Sequence, residues 1–585
     1  MGSEDHESIL ARRSARRTDT KTMNIGPLNM VPITLGVPIT LSTMTWADWT
    51  VVAGYLLVLL VSGLWFARRE PSGSEEYFLG GRRMPVWAVA FSVVASSLSI
   101  ATFIGVPQLA YDGNLTYLST NIGGLIAVFI VAGVFIPAFY KYQVTSIYEL
   151  LERRFGPGAK VAASGGFMVG RVFASGARVY IGAIPLAMIL FGEAASSEPR
   201  NLIGAIAVLS VVAVAYTLVG GIASVIWTDV LQTLVLVGSV LACVIILWSR
   251  IEAPTADVIA ALSDQGKLVV MKSGLNFDPA KGGLIDFSAS FTLLTAVLGF
   301  SLLNLAAYGA DHDMVQRMLT CKNAAAGGRS AIVAIFISIP IVALFLLVGL
   351  LLHVYYRMPN MMGAGAPMAA PDQSLKVFST FMLTQLPSGL TGLMVAGLFA
   401  CGLGSLNSAI NAMAATLIKD FYMPARPNQP DSHYLAASRW AVAGWGVALA
   451  GFAVLCIYWQ RANPATGLID LALSVMTFAH SGLVAVFLAA LLTKRGTTAS
   501  VIAALVTGFV VALAFQPMTL SAITWILDGG PAWAAGIRSW TSTAKFSLGW
   551  IMLFATTAAF LVCIVPANTR VTVGGVVAVP ADKDR

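Results

Sequence analysis

The chain has 585 residues and a net charge of +8 at pH 7, and it is 57% hydrophobic but only 11% charged. An average soluble protein carries roughly 25% charged residues, so this composition cannot cover a soluble fold of this size with a polar surface. A transmembrane helix needs about 20 apolar residues, and uncharged stretches of that length recur from Trp46 to Pro566. We therefore expect a multi-pass protein of the lipid bilayer. This excludes a secreted domain, a soluble enzyme and a nucleic-acid-binding protein.

The apolar stretches predict thirteen helices, preceded by a disordered tail over residues 1–45. The stretches at 84–111 and 386–418 are longer than one crossing and rich in Gly, Ala and Ser. We expect broken or steeply tilted helices there, with free backbone groups lining a cavity. The thirteen predicted helices lie near 46–67, 84–111, 117–140, 160–191, 201–219, 221–249, 288–309, 330–356, 386–418, 434–459, 467–492, 497–516 and 546–566.

Lys and Arg are more frequent in the loops on one side of these helices, as in the loop with Arg82 and Arg83 and the loop with Arg153 and Arg154. Loops rich in Lys and Arg stay in the cytoplasm. The chain is therefore predicted to have its amino terminus outside and a cytoplasmic tail over residues 567–585. The predicted location is the plasma membrane, the inner membrane of a bacterium.

Three charged residues fall deep within the predicted helices. Arg171 and Arg178 lie two turns apart on one helix face. A charge at this depth costs at least about 2.5–3.5 kcal/mol, so each guanidinium faces either an anionic ligand or a structural carboxylate. Asp229 suits a hard cation such as Na⁺, or it is a hydrated residue near the cytoplasmic mouth. The lone His480 is given no role.

Two runs of small residues, at 93–105 and 400–416, offer hydroxyls and backbone carbonyls at helical spacing. Such groups can coordinate a small cation. Small residues also let membrane helices approach each other closely, and composition alone favours this packing role.

Five motifs in chain order resemble those of the sodium/solute symporter family, and similarity extends to about residue 496. The resemblance implies an all-α membrane protein with a LeuT-like core, in which two inverted five-helix repeats with discontinuous helices hold the sites between them. The repeats would be 84–249 and 288–492, with 46–67 and 497–566 as peripheral helices. The motifs are EEYFLGGRRMPVWAVAFSVVASSLSIATFIGVP, VTSIYELLERRFG, GGIASVIWTDVLQ, ADHDMVQRMLTCKNA and SLNSAINAMAATLIKDFY.

The resemblance also implies Na⁺ as the coupling ion. Gly404 departs from the family pattern. Its position usually supplies a hydroxyl ligand to the first sodium site and, in members that have one, to a second sodium site, whereas glycine has no hydroxyl. The residues implied for the first sodium site are Ala95, Leu98, Cys401 and Ser405. Those implied for a possible second site are Asp229, Asn407 and Ser408. The amide oxygen of Asn407 can serve as a ligand.

Family members that carry sialic acid imply a substrate pocket in which an arginine fork binds the carboxylate. The matching positions are Ser97, Ser99, Thr102, Asn121 and Arg171, with Asn121 in place of a longer Gln. We therefore expect a secondary active transporter, not an enzyme, that carries a small organic solute with sodium by alternating access. The expected solute bears a carboxylate, as sialic acid or another organic acid does, and the expected functional unit is a monomer.

Three alternatives remain open from the sequence. The first is a carrier of a neutral sugar, polyol or amino acid, in which Arg171 is structural. The second is proton coupling, which Gly404 suggests. The third is a non-transporting sensor or membrane enzyme. The sequence shows neither an appended soluble domain nor a group of nucleophilic residues that would favour it.

Overall fold

The computed structural model describes most of the chain between Met44 and Val565, and every structural statement below concerns these residues. Apart from Met44 and Thr45, the predicted tails at 1–45 and 567–585 lie outside them. The described residues are 44–67, 79–193, 195–218, 222–276, 284–362, 370–371, 373–462, 467–516, 519–520, 523–524, 536–537, 539, 541 and 545–565.

The fold is helical, and each predicted apolar stretch coincides with a helix or a bent helix pair. In chain order the helices are α1 (Trp46–Ala67), α2 (Val86–Ser97), α3 (Ile100–Asp112), α4 (Thr116–Lys141), α5 (Glu149–Phe155), α6 (Pro157–Phe191), α7 (Pro199–Thr217), α8 (Ile222–Ser249), α9 (Thr255–Asp264), α10 (Leu293–Ala310), α11 (His312–Leu319), α12 (Ala324–Arg357), α13 (Val377–Thr384), α14 (Leu390–Leu417), α15 (Asp431–Ala462), α16 (Leu468–Leu492), α17 (Thr498–Ala514) and α18 (Leu548–Ile564).

The structure does not confirm the predicted number of membrane crossings. Among the described residues ten helices are long and apolar enough to span a bilayer, and the bent pair of α2 and α3 makes an eleventh. The helices α17 and α18 have 17 residues each, which is at the lower limit of the roughly 17–25 residues of a transmembrane helix. The predicted count of thirteen spans is therefore not confirmed.

The predicted break within 84–111 is confirmed. The helices α2 and α3 meet at an angle of 63°. The two residues between them, Leu98 (φ −83°, ψ 112°) and Ser99 (φ −114°, ψ 172°), have extended backbone. The other long stretch, 386–418, is different, since α14 runs unbroken from Leu390 to Leu417.

The small residues of α14 serve close packing along its length. A Cβ atom added at Gly402 would collide with the side chain of Ile100 on α3. The helix α14 also packs against α8 and α6, and α6 and α14 are the spans most fully enclosed by protein. The broken helix, α6, α8 and α14 therefore surround one buried region.

The amino end of α14 is capped by a side chain from the first helix. Asp48 Oδ1 accepts hydrogen bonds from the backbone amides of Gly389 and Gly392, both at 2.8 Å. Its other oxygen accepts from the backbone amide of Thr45 at 2.8 Å. A carboxylate at this position satisfies amides that the helix leaves unpaired and interacts favourably with the helix dipole.

Replacing Asp48 with Ala is expected to lower the free energy of unfolding by about 0.5–2 kcal/mol, the range seen when a capping side chain is lost. Asp48→Asn keeps an acceptor oxygen and should lose less. The apparent melting temperature of the purified protein measures both. Equal loss in the two variants would contradict the capping role.

Candidate functional site

The segment after α10 supplies three charged groups to the buried region. Asp311 has extended backbone (φ −96°, ψ 118°), and its side chain accepts a hydrogen bond from the amide of Asp313 at 3.0 Å, so it begins α11. One turn later, Arg317 Nη1 lies 2.5 Å from Asp313 Oδ1. All three side chains are almost completely buried.

Arg171 of α6 binds this acidic pair. Its Nη2 atom forms an ion pair with Asp313, and its Nε atom lies 3.5 Å from Asp311 Oδ2. In this conformation the guanidinium predicted to bind substrate is held between two carboxylates. The structural pairing that the sequence left open is therefore what the structure shows, and the role of Arg171 as a substrate ligand stays a prediction.

Arg317 extends the cluster to three further helices. Its Nη2 atom lies 3.2 Å from Asp229 Oδ2 on α8 and donates a hydrogen bond to Ser408 on α14. Its Nε atom donates to Ser92 Oγ on α2 at 2.9 Å, and that hydroxyl donates to Asp229 Oδ2 at 2.5 Å. A continuous ionic network therefore joins α2, α6, α8, α11 and α14.

Arg317 was not among the site residues predicted from the sequence. The structure leaves only 1% of it exposed. Two signals pointed to burial. Asp313 and Arg317 have the i, i+4 spacing of a helical ion pair, and apolar Met314, Val315 and Met318 lie between and beside them.

His480 of α16 lies at the end of this network. Its Nε2 atom is 3.6 Å from Asp311 Oδ2, and its Nδ1 atom is 2.9 Å from the carbonyl oxygen of Met476. A neutral imidazole that donates from Nδ1 to this carbonyl turns an unprotonated nitrogen toward the carboxylate. A protonated imidazole would instead donate to both oxygens.

The residues predicted for the first sodium site lie on the two expected elements, the broken helix and α14. Leu98 and Cys401 are in contact, since the thiol donates to the Leu98 carbonyl oxygen at 3.3 Å. Ala95 is buried one turn before the break. The Ser405 hydroxyl donates to the carbonyl oxygen of Gly402 at 3.1 Å. The coordination of sodium by these groups stays a prediction.

The residues predicted for the second sodium site are only partly brought together. Asp229 and Ser408 both contact the guanidinium of Arg317. The side chain of Asn407 accepts a hydrogen bond from Asn411 at 3.1 Å, along its own helix. A basic side chain, unforeseen in the sequence, therefore lies between two of the predicted ligands.

The remaining predicted substrate residues lie at or near the break. Ser97 donates to the Val94 carbonyl oxygen at 3.0 Å, and the amide nitrogen of Ser99 lies 3.4 Å from Thr102 Oγ1. Asn121, on the first turns of α4, donates to the Leu118 carbonyl oxygen at 3.0 Å. These polar groups bond within their own segments in this conformation.

Arg178 differs from the other two buried arginines. In the described part of the chain no carboxylate lies within ion-pair distance of it, and its one recorded hydrogen bond is a weak contact of 3.6 Å with Met476 Sδ. It remains 8% exposed, against 3% for Arg171 and 1% for Arg317. A fork of five N–H donors is thus nearly enclosed without an anionic partner.

Comparison with known proteins adds the following findings. The sodium:solute symporter family matches residues 77–508. The sodium/sialic acid symporter SiaT of Proteus mirabilis is 27% identical over 472 residues, which cover 80% of this chain and 89% of SiaT. The human sodium-coupled monocarboxylate transporter 1 is 28% identical over 468 residues, 80% of this chain and 72% of the transporter.

A solved structure of a Na⁺-coupled sialic acid symporter, in its substrate-bound outward-open state, superimposes with a TM-score of 0.69. The match covers 89% of this chain and 97% of that chain, at 23% identity. At this identity the likeness shows the fold, a LeuT-type arrangement of helices.

Proposed function

The chain belongs to the sodium:solute symporter family, and from this premise we propose that its solute is a small organic anion whose carboxylate binds Arg178. The protein is a multi-pass membrane transporter that couples movement of a solute to sodium, and it is not an enzyme. The identity of the solute and the residues that hold it are what we propose here.

The single observation that carries the proposal is the unpaired guanidinium of Arg178. A buried charge without a partner is costly at membrane depth, so a site that keeps one is suited to a ligand of opposite charge. A guanidinium binds a carboxylate through two parallel hydrogen bonds, which adds geometric selectivity to the attraction. The names of two relatives support this chemistry, since one carries sialic acid and the other monocarboxylates.

In this proposal Arg171 is a positioning residue, because its charge is paired with Asp311 and Asp313 in this conformation. The hydroxyls of Ser97, Ser99 and Thr102 and the amide of Asn121 remain the proposed polar partners of the solute. They lie at the break between α2 and α3 or on the next helix, where free backbone groups are available.

We further propose that 84–249 and 288–492 are the two inverted repeats, with 46–67 and 497–566 outside the core. Sodium is assigned first to Ala95, Leu98, Cys401 and Ser405. The Lys and Arg distribution supports an external amino terminus and a cytoplasmic carboxyl terminus in the plasma membrane. One chain contains all of the proposed ligands, which supports a functional monomer.

Sodium and solute are proposed to favour the same conformation, so that each tightens the binding of the other by the same factor. Proteoliposomes with an imposed sodium gradient test this function. We expect accumulation of labelled sialic acid or lactate and no accumulation of glucose. Accumulation of glucose without either acid would contradict the proposal.

A second candidate is proton coupling, which the 3.6 Å approach of His480 to Asp311 favours. A proton on His480 would add a positive charge beside Asp311, at the end of the ionic network. The same proteoliposomes decide between the two ions. Uptake of the acid driven by a proton gradient in sodium-free medium would support this candidate and overturn sodium as the coupling ion.

A further inference from the structure

We propose that the segment between α4 and α6 is a cover that closes the solute route toward the cytoplasm, and that Asp420 is the latch that holds it shut. The cover (residues 142–156) contains α5 and the second sequence motif, VTSIYELLERRFG. This inference rests on the proposed function for the solute site at Arg178 and for the cytoplasmic side of the membrane. It adds the residues that control release of the solute.

One face of α6 leads from the proposed solute site to the predicted cytoplasmic side. Arg178, Arg171, Phe167, Ser164 and Lys160 recur at intervals of three, four or seven residues, so they lie on the same face of this helix. The face begins at Arg178, passes the ionic network at Arg171 and ends at Lys160, in the first turn of α6. We expect a solute that leaves Arg178 for the cytoplasm to follow this face.

An aromatic layer closes this face beyond the ionic network. The ring centroid of Tyr148, in the cover, is 5.7 Å from that of Phe167 and 6.1 Å from that of Phe487 on α16. It is 6.2 Å from the ring centroid of His312, which lies beside the acidic pair. Rings at these distances attract one another, and Tyr148 is completely buried among them. A polar solute therefore cannot pass while the cover holds Tyr148 in place.

Asp420 holds the cover from the end of α14. It lies in the turn of helix Ile418–Tyr422, which continues α14. Its Oδ2 atom accepts hydrogen bonds from the hydroxyl of Ser146 at 3.0 Å and from the hydroxyl of Ser164 at 2.6 Å. Ser146 belongs to the cover and Ser164 to α6. One carboxylate oxygen therefore joins the cover, α6 and α14.

The carboxylate of Asp420 is only partly satisfied, which suits a latch that has to release. Its Oδ1 atom is buried without a hydrogen bond in the described part of the chain, and Lys160 Nζ lies 3.5 Å from it. Lys160 also pairs with Glu152 of the cover at 3.0 Å, so its charge is shared. A buried polar atom left unpaired is costly. Water that reaches Oδ1 when the cover opens offsets part of the bonding that is lost.

The other end of the cover is held more firmly. Arg154 Nη2 donates to the carbonyl oxygen of Thr493 at 3.3 Å and to that of Arg495 at 3.4 Å. The hydroxyl of Thr498 donates to the carbonyl oxygen of Phe155. These bonds join the cover to the connection between α16 and α17. The cover therefore turns about its Phe155 end and releases at Ser146.

Ser175→Cys provides a reporter of opening. Ser175 lies between Arg171 and Arg178 on the same face of α6 and is completely buried. The five native cysteines are buried as well, so the unaltered protein gives the background. Inside-out and right-side-out membrane vesicles that contain the variant are treated with a charged, membrane-impermeant methanethiosulfonate, and the rate of labelling is measured from each side.

Removal of the Ser146 hydroxyl tests the latch. In the reporter background, Ser146→Ala is expected to raise the labelling rate in inside-out vesicles about 5-fold, because a hydrogen bond to a carboxylate no longer favours the closed position. The rate in right-side-out vesicles should not rise. Ser164→Ala is the matched control: it removes a bond to the same oxygen but leaves the cover attached, so it should not raise the rate.

Changes at Asp420 itself grade the effect. Asp420→Ala should raise the inside-out labelling rate about 10-fold or more, since both serines and Lys160 lose their partner. Asp420→Asn keeps an acceptor oxygen and should have a smaller effect. Ser146→Ala carries the test if Asp420→Ala does not fold.

Three outcomes overturn the latch: an unchanged rate in Ser146→Ala, an equal rise in Ser146→Ala and Ser164→Ala, or an equal rise from both sides of the membrane. Sodium-driven uptake of the acid by the unaltered protein separates this proposal from the proposed function. If that uptake is present and one of these outcomes is found, the function stands and only the latch fails. Lack of uptake by the unaltered protein overturns the function instead.

Discussion

Replacing Arg178 with Ala is expected to raise the KM for an organic acid by about 30-fold or more. Removing one partner of a buried, hydrogen-bonded charge pair costs about 2–5 kcal/mol, and each 1.4 kcal/mol is a factor of ten in affinity. We expect this loss because Arg178 has no carboxylate partner among the described residues, so its guanidinium pairs with the carboxylate of the solute. Initial rates of uptake into proteoliposomes, measured over a range of lactate or sialic acid concentrations, give the KM.

Two further variants separate binding from folding. Arg178→Lys keeps the charge but loses the planar fork, so it should retain an intermediate affinity. Arg171→Ala leaves Asp311 and Asp313 without a shared cation, and it should lower the melting temperature more than Arg178→Ala does. An unchanged KM for the acid in Arg178→Ala would contradict the proposed site. A KM that rises only in a folded Arg171 variant would assign the carboxylate to Arg171.

The sequence predicted the helices well because long apolar stretches are a local property. It also predicted a broken or steeply tilted helix within 84–111, and the structure has the break at Leu98 and Ser99. It did not separate 84–111 from 386–418, since both contain runs of small residues. The difference depends on the neighbours: on α14 these residues let α3 and α8 approach, as at Gly402 and Gly397, and the helix remains continuous.

The ionic network could not be predicted from the sequence for a related reason. Which carboxylate meets which guanidinium depends on how distant helices pack, and Arg317 and Asp229 are 88 residues apart. Arg171 and Arg178 look alike in the sequence, because each has small residues near it and both lie on one face of the same helix. Only the position of α11 gives Arg171 two carboxylates and leaves Arg178 with none.

Replacing Arg317 with Met is expected to destabilise the fold by about 3–5 kcal/mol, the cost of leaving a buried charge uncompensated. Arg317 contacts Asp229, Asp313, Ser92 and Ser408 at once. Its loss removes the only cation recorded within 4 Å of Asp229 in the described residues. The apparent melting temperature, and the fraction that stays monodisperse after heating, measure the effect. Arg200→Met is the control, because that arginine pairs with Glu198 at the surface and such pairs contribute about 0–1 kcal/mol.

A second substitution tests whether the carboxylate is the cause. Asp229→Asn in the Arg317→Met background removes the uncompensated charge while Arg171 still binds Asp311 and Asp313. The double variant should therefore be more stable than Arg317→Met alone, a coupling that neighbouring residues show and distant ones do not. Stability equal to the sum of the two single losses would contradict the network. A fold that recovers without sodium-dependent stabilisation would show that Asp229 serves both the network and the ion, since its two oxygens face Arg317 and Gly404 respectively.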